Sequence, residues 1–148
     1  MFTSVDYVYY SYVSIFEIKD KFLNELKKIG WENPIIEIYD DVPNKSQTLF
    51  IAKDQQLYNW HDEKGYNPNQ NGESCILLTA SLEKKKSERI NTNEFLNDQG
   101  IRVSACADVF IVLDNFWEYA LSLPGMIEED EFSYKIHKIL VDVLSKTT

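Results

Sequence analysis

Ser4 to Gly30 limits most what this chain can become, because it reads as a strand running directly into a capped helix. Ser4 to Val13 alternates and is rich in valine and tyrosine, with Val5, Tyr7 and Tyr9 on one side and Asp6, Val8 and Tyr10 on the other. Tyrosines on both sides predict that both faces of this strand are at least partly covered. Ser14-Ile15-Phe16-Glu17 is an S-x-x-E capping box, in which the serine oxygen accepts an amide of the first turn and the glutamate reaches back. Ile15, Ile18, Phe22, Leu26 and Ile29 then recur at three- and four-residue steps. Lys27, Lys28 and Gly30 supply a cationic last turn and a stop.

Beyond Pro34, Ile35 to Tyr39 reads as a strand closed by the turn Asp40-Asp41-Val42-Pro43-Asn44, and Thr48 to Ala52 reads as its hairpin partner. Leu57 to Trp60 would add a short third strand. Ser74 to Leu82, apolar almost throughout, predicts a buried central strand. Asn91 opens a second capping box and a helix ending at Gly100, after which Ile101 to Leu113 alternates as a long strand, bent near Ala105 to Ala107. Asp114 or Asn115 would cap a helix from Phe116 to Leu123, ended by Pro124-Gly125. Glu128 to Glu131 sit where a helix N-terminus favours anions, ahead of an apolar stripe of Phe132, Ile136, Ile139, Leu140, Val143 and Leu144.

That order lacks the strict alternation of a doubly wound sheet. It predicts an α+β fold, a mainly antiparallel sheet of about five strands flanked by helices, as one domain over residues 1–148. A chain of 148 residues can bury roughly 68–70% of its unfolded surface. With 44% hydrophobic and 26% charged residues it has the composition of a folded protein rather than a disordered one.

Charge narrows the function. The 24 acidic residues against 15 basic ones give a formal net charge of -9, a balance that disfavours binding to a nucleic-acid backbone. The one basic cluster, Lys84, Lys85, Lys86 and Arg89, is flanked by Glu83 and Glu88 and reads as a solvated strand end. Between Arg102 and Lys135 there is no basic residue, yet Asp108, Asp114, Glu118, Glu128, Glu129, Asp130 and Glu131 fall there; Glu32, Glu37, Asp40 and Asp41 repeat the pattern between Lys28 and Lys45. Unbalanced carboxylates repel one another, and a cationic partner would relieve the repulsion. The plain alternative is a solubilising surface.

The longest apolar run, Val109 to Leu113, is far short of the ~20 residues of a membrane span, and Asp6 interrupts the N-terminal apolar stretch that a secretory signal would need. A cytoplasmic protein with no membrane association is the expectation. Cys75 and Cys106 lie in apolar stretches and read as core residues without C-x-x-C or metal spacing.

Motifs for catalysis are missing. His61, Asp62 and Glu63 are suitable atom types for a metal or for acid–base work, but His137 is the only other imidazole and reads as a half-buried structural group on the last helix. No H-E-x-x-H, G-x-S-x-G or G-x-G-x-x-G occurs, and 5 glycines are few for cradling a phosphate. Adjacent Asp40 and Asp41 on a turn diverge too far to serve as paired glycosidase carboxylates. No cofactor or metal is expected. The polar run from His61 to Glu73 is long for a connection and contains Tyr66 just after Trp60. Rings beside acids suit a protein interface, the ring as anchor and the carboxylates for steering; alternatively Leu57, Tyr58 and Trp60 are hairpin core and the rest is solvated.

A small, acidic, single-domain chain rich in Tyr and Trp and without catalytic motifs resembles the immunity proteins that neutralise bacterial toxins, including those of contact-dependent inhibition systems. The resemblance is one of overall character rather than motif. It implies a protein that covers the active or substrate-binding surface of a basic toxin domain, often a nuclease, with carboxylates standing in for substrate phosphates. The residues nominated for that role are Asp40, Asp41, Trp60, Asp62 and Glu63, with Glu128, Glu129 and Asp130 as a second patch. The alternatives are an adaptor or subunit of a larger assembly and a small metal-dependent enzyme using His61. Exposed aromatics or an unpaired sheet edge would allow a symmetric homodimer, though nothing in the pattern demands one.

Overall fold

The computed structural model describes residues 4–65, 67–83, 86–89, 110–113 and 116–147. In chain order the elements are β1 (Ser4–Ser11), α1 (Ile15–Lys27), β2 (Ile35–Asp41), β3 (Ser46–Ala52), α2 (Gln55–Lys64), β4 (Ile76–Glu83), β5 (Lys86–Arg89), β6 (Phe110–Leu113), β7 (Phe116–Pro124) and α3 (Glu131–Thr147). A five-stranded antiparallel sheet in the order β1-β7-β4-β3-β2 carries the fold, which is α+β as expected. The apolar β4 is its central strand. Strands β5 and β6 form a separate two-stranded ladder whose register continues that of β4 and β7: Glu83 faces Phe116, and three residues further along each strand Lys86 faces Leu113. Among the described residues no helix is long and apolar enough to cross a membrane.

Two expected elements differ in kind. Leu57 to Trp60 lies in helix α2 rather than in a strand, because Asp54 caps it, accepting the Leu57 N–H at 2.8 Å, and one turn then buries Leu57 in the core. Phe116 to Leu123 is strand β7 rather than a helix. Its side chains alternate, Trp117, Tyr119, Leu121 and Leu123 on one face and Glu118, Ala120 and Ser122 on the other, and both of its edges find partners, β1 and β4. The expected helix from Asn91 to Gly100, the stretch from Ile101 to Val109, Tyr66 and Cys106 lie outside the described residues.

Register decides which side chains share a face. Tyr9, Tyr119, Ala80 and Gln47 stand in one row across the sheet, and Tyr7, Leu121, Leu78, Leu49 and Ile38 in the next. This face is covered by α1 and α3. Ile15, Ile18, Phe22 and Leu26 of α1 and Ile136, Leu140, Val143 and Leu144 of α3 are buried against it, at roughly 1.5–3 kcal/mol for each large apolar side chain removed from water. Gln47, buried on the sheet, accepts the Ile15 N–H at 3.0 Å and so fixes where α1 begins. The S-x-x-E box closes with Ser14 N–H donating to Glu17 at 2.6 Å. At the other end Gly30 takes φ 99°, which lets Trp31 N–H reach back to Leu26 O at 3.1 Å and turns Trp31 inward to stack on Phe132.

Candidate docking surface

The opposite face of the sheet is of another character. By the same register it presents Asp6, Val8 and Tyr10 of β1, Glu118, Ala120 and Ser122 of β7, Leu77 and Thr79 of β4, Thr48 and Phe50 of β3, and Glu37, Tyr39 and Asp41 of β2. Val8 is 39% exposed and Tyr39 59%. On this side of β1 Tyr10 is half-buried while Asp6 and Val8 are exposed, so the strand is covered on one face and in part on the other. The five strands contain Asp6, Glu37, Asp40, Asp41, Glu83 and Glu118 and not one lysine or arginine. An open antiparallel face normally mixes the two signs of charge; here a field of one sign stands over small and aromatic side chains.

Helix α2 borders this face at Phe50. Tyr58 meets the Phe50 ring edge-on at 6.2 Å between centroids and His61 lies against it at 5.2 Å, because residues three apart on a helix share a side. Between helix and sheet lies a pocket of about 310 Å³ lined by Glu37, Tyr39, Thr48, Phe50, Tyr58, His61, Asp62, Leu77 and Pro124. Glu37 is held from two sides: the Tyr58 hydroxyl donates to its Oε1 at 2.9 Å and the Tyr39 hydroxyl to its Oε2 at 3.3 Å. The hydrogen bond to Glu37 raises the Tyr58 phenol above its ordinary pKa, so it stays a donor. Burial lowers the pKa of His61, against the opposing pull of Asp62 and Glu37, and this favours a neutral imidazole.

The nominated residues do not form one patch. Asp62 lines the pocket, whereas Trp60 projects from the other side of α2 into a smaller cleft with Gln56 and Asn69 to Asn71, its indole N–H donating to Asn67 O at 3.2 Å. Glu63 is exposed. Asp41 is bound into the hairpin turn, accepting the Asn44 N–H at 3.3 Å and its side-chain amide at 2.8 Å, and Asp40 shares a row with Gln47 on the helix-covered side. Asp130 caps α3 by accepting the Ser133 N–H at 2.8 Å, Glu129 accepts the Tyr7 hydroxyl at 2.7 Å, and Glu128 is exposed beside them. Tyr7 in turn stacks on His137 at 4.3 Å, and the Tyr9 hydroxyl lies 2.5 Å from His137 Nδ1, which places that histidine in the packing between β1 and α3. Glu129 and Asp130 thus tie the start of α3 to β1 and to its own first turn.

Sequence reasoning passed over Glu37, Tyr39, Phe50 and Tyr58 as site residues. The signal was available in part: Glu37 and Tyr39 are two apart in a strand, so they must share a face. Among the described residues no three of His, Cys, Asp and Glu gather closely enough to hold a metal ion. Cys75 is a buried thiol that burial pushes up to about 12. Compared with known proteins, the chain matches no family model, no curated protein and no solved structure.

Proposed function

We propose that the chain is a protein-binding module that covers a basic surface of another protein, in the manner of an immunity protein neutralising a toxin domain. The observation that supports this most is the open face of the sheet, five strands wide, whose strands hold no lysine or arginine. Folding forces carboxylates of β1, β2 and β7 to share one surface, and nothing on those strands offsets them. A cationic partner would offset them on docking, with Val8, Ala120 and Tyr39 supplying apolar contact beneath the charges. The toxin assignment rests on the chain's overall character and on this complementarity, and it makes cytoplasmic action the working expectation.

The test is NMR mapping with a short basic peptide of mixed Lys and Arg at low salt. Amide shifts confined to the five strands and the adjoining side of α2 on the open face, weakening steeply as salt is raised, would support docking there. Shifts spread evenly over every acidic segment, Glu128 to Glu131 included, would reduce the charge to a solubilising surface and sink the proposal. A second reading, a small enzyme working through His61, draws on one feature, a neutral imidazole facing a pocket beside two carboxylates. It requires turnover of a small molecule that His61→Ala destroys, whereas the docking reading requires salt-sensitive binding of a basic partner and no turnover.

A further inference from the structure

The pocket at Phe50 has a more specific chemistry than the face around it. At about 310 Å³ it stands at the lower end of ligand-pocket sizes, roughly 300–1,000 Å³, which suits a single side chain better than a cofactor. Its walls are mostly rings, from Phe50, Tyr58, Tyr39 and His61, and its acidic groups are the carboxylates of Glu37 and Asp62. Such walls favour a flat cation. A carboxylate offers about four acceptor positions. Glu37 uses one on each oxygen for a tyrosine hydroxyl, so one on each oxygen remains. Among the described residues no lysine or arginine pairs with Glu37 or Asp62. The two phenols come from different elements, β2 and α2, and they fix the carboxylate before anything binds.

Resting on the docking reading above, we propose that this pocket receives an arginine side chain of the partner protein, its guanidinium packed against the aromatic wall and paired in a fork with Glu37. Arginine fits better than lysine for three reasons: its cation is planar and stacks on rings, it is more weakly hydrated and so enters an aromatic pocket at lower cost, and its donors match both free positions of one carboxylate. Asp62, at the rim on α2, adds charge without being needed for the fork. The arginine is thus the anchor, and the rest of the open face supplies steering and cover.

The experiment compares two peptides identical except for one central residue, arginine or lysine, titrated into the full chain and followed by NMR. Preference for the arginine peptide by about tenfold, with the largest shifts at Phe50, Tyr58 and His61, is the expected result. Glu37→Gln should erase that preference, and Tyr58→Phe should reduce it severalfold, while the amide spectrum of each variant stays that of the folded protein. If both peptides bind the open face equally and Glu37→Gln changes nothing, the arginine pocket is wrong although docking stands. If neither peptide binds that face, both ideas fall together. Binding of acetyl-arginine amide but of no arginine peptide would also overturn the proposal, because the pocket would then serve a free small cation.

Discussion

Leu78 and Thr79 are neighbours in the central strand, yet they belong to two different surfaces. Leu78 is fully buried under α1 and α3, in a row of apolar side chains that crosses all five strands; Thr79 stands in a row with Thr48 and Ala120 on the face bordered by acids. One side of the sheet is organised by the removal of apolar surface from water and the other by like charge. The difference teaches that stability and recognition are divided between the two sides, so substitutions should divide in the same way.

The largest effect expected is on the covered side. Leu78→Ala should cost about 2–5 kcal/mol in urea denaturation, through lost burial and the cavity left behind, whereas Thr79→Ala should cost less than about 1 kcal/mol. Equal losses would break the comparison. Next in size is Asp54→Ala, which removes the cap of α2 and should cost about 0.5–2 kcal/mol, with the Tyr58 and His61 resonances losing their ring-current shifts from Phe50 as the helix end frays.

A smaller effect concerns pH. Since burial holds the pKa of His61 below its unfolded value of about 6.5, the unfolded chain binds more protons in that window, and stability rises with pH there. The contribution is complete above about 6.5 and is lost as pH falls through the folded-state value. His61→Gln should therefore lose less of its urea midpoint than the parent between pH 7.5 and pH 5, and an NMR titration should place His61 below the free imidazole. Smallest of all, Glu118→Gln on the open face should change stability by no more than about 0.5 kcal/mol and in the stabilising direction at low salt. A clear loss would mean that this carboxylate is held by a favourable contact, beyond its long 3.4 Å bond from Tyr10, and that the open face is not strained by its charge.

Periodicity made the well-bounded elements legible. The Ser14 box, the stripe from Ile15 to Leu26, the Ile35 to Ala52 hairpin, the central strand and the last helix all follow from patterns that local chemistry enforces. The two misread segments share a cause. Leu57 to Trp60 is too short for a period to speak, and its capping aspartate, Asp54, decides the matter from outside the segment. Phe116 to Leu123 alternates cleanly, but Asp114 and Asn115 ahead of it look like a cap and Pro124-Gly125 behind it like a stop, and punctuation outweighed pattern. Those readings also scattered the site. With α2 taken as a strand, Trp60 and Asp62 appear to act together; wound into a helix, they project to different sides, and Asp62 joins Glu37, 25 positions earlier in the chain. Charge counted along the chain pointed to a negative surface, but only pairing could show which carboxylates face the same way.

Among the described residues strand β1 has a single neighbour in the sheet, and that neighbour is β7: Ser4 lies across from Pro124 and Ser11 from Trp117. Strands β2, β3 and β4 follow one another and can pair as they emerge from the ribosome, but β1 must be held unpaired until more than a hundred further residues exist. Loop-closure entropy on that scale slows folding. Although β1 is made before the other strands of the sheet, it is consequently among the last to be placed, and the tyrosine-rich strand stays open to mispairing while they are made.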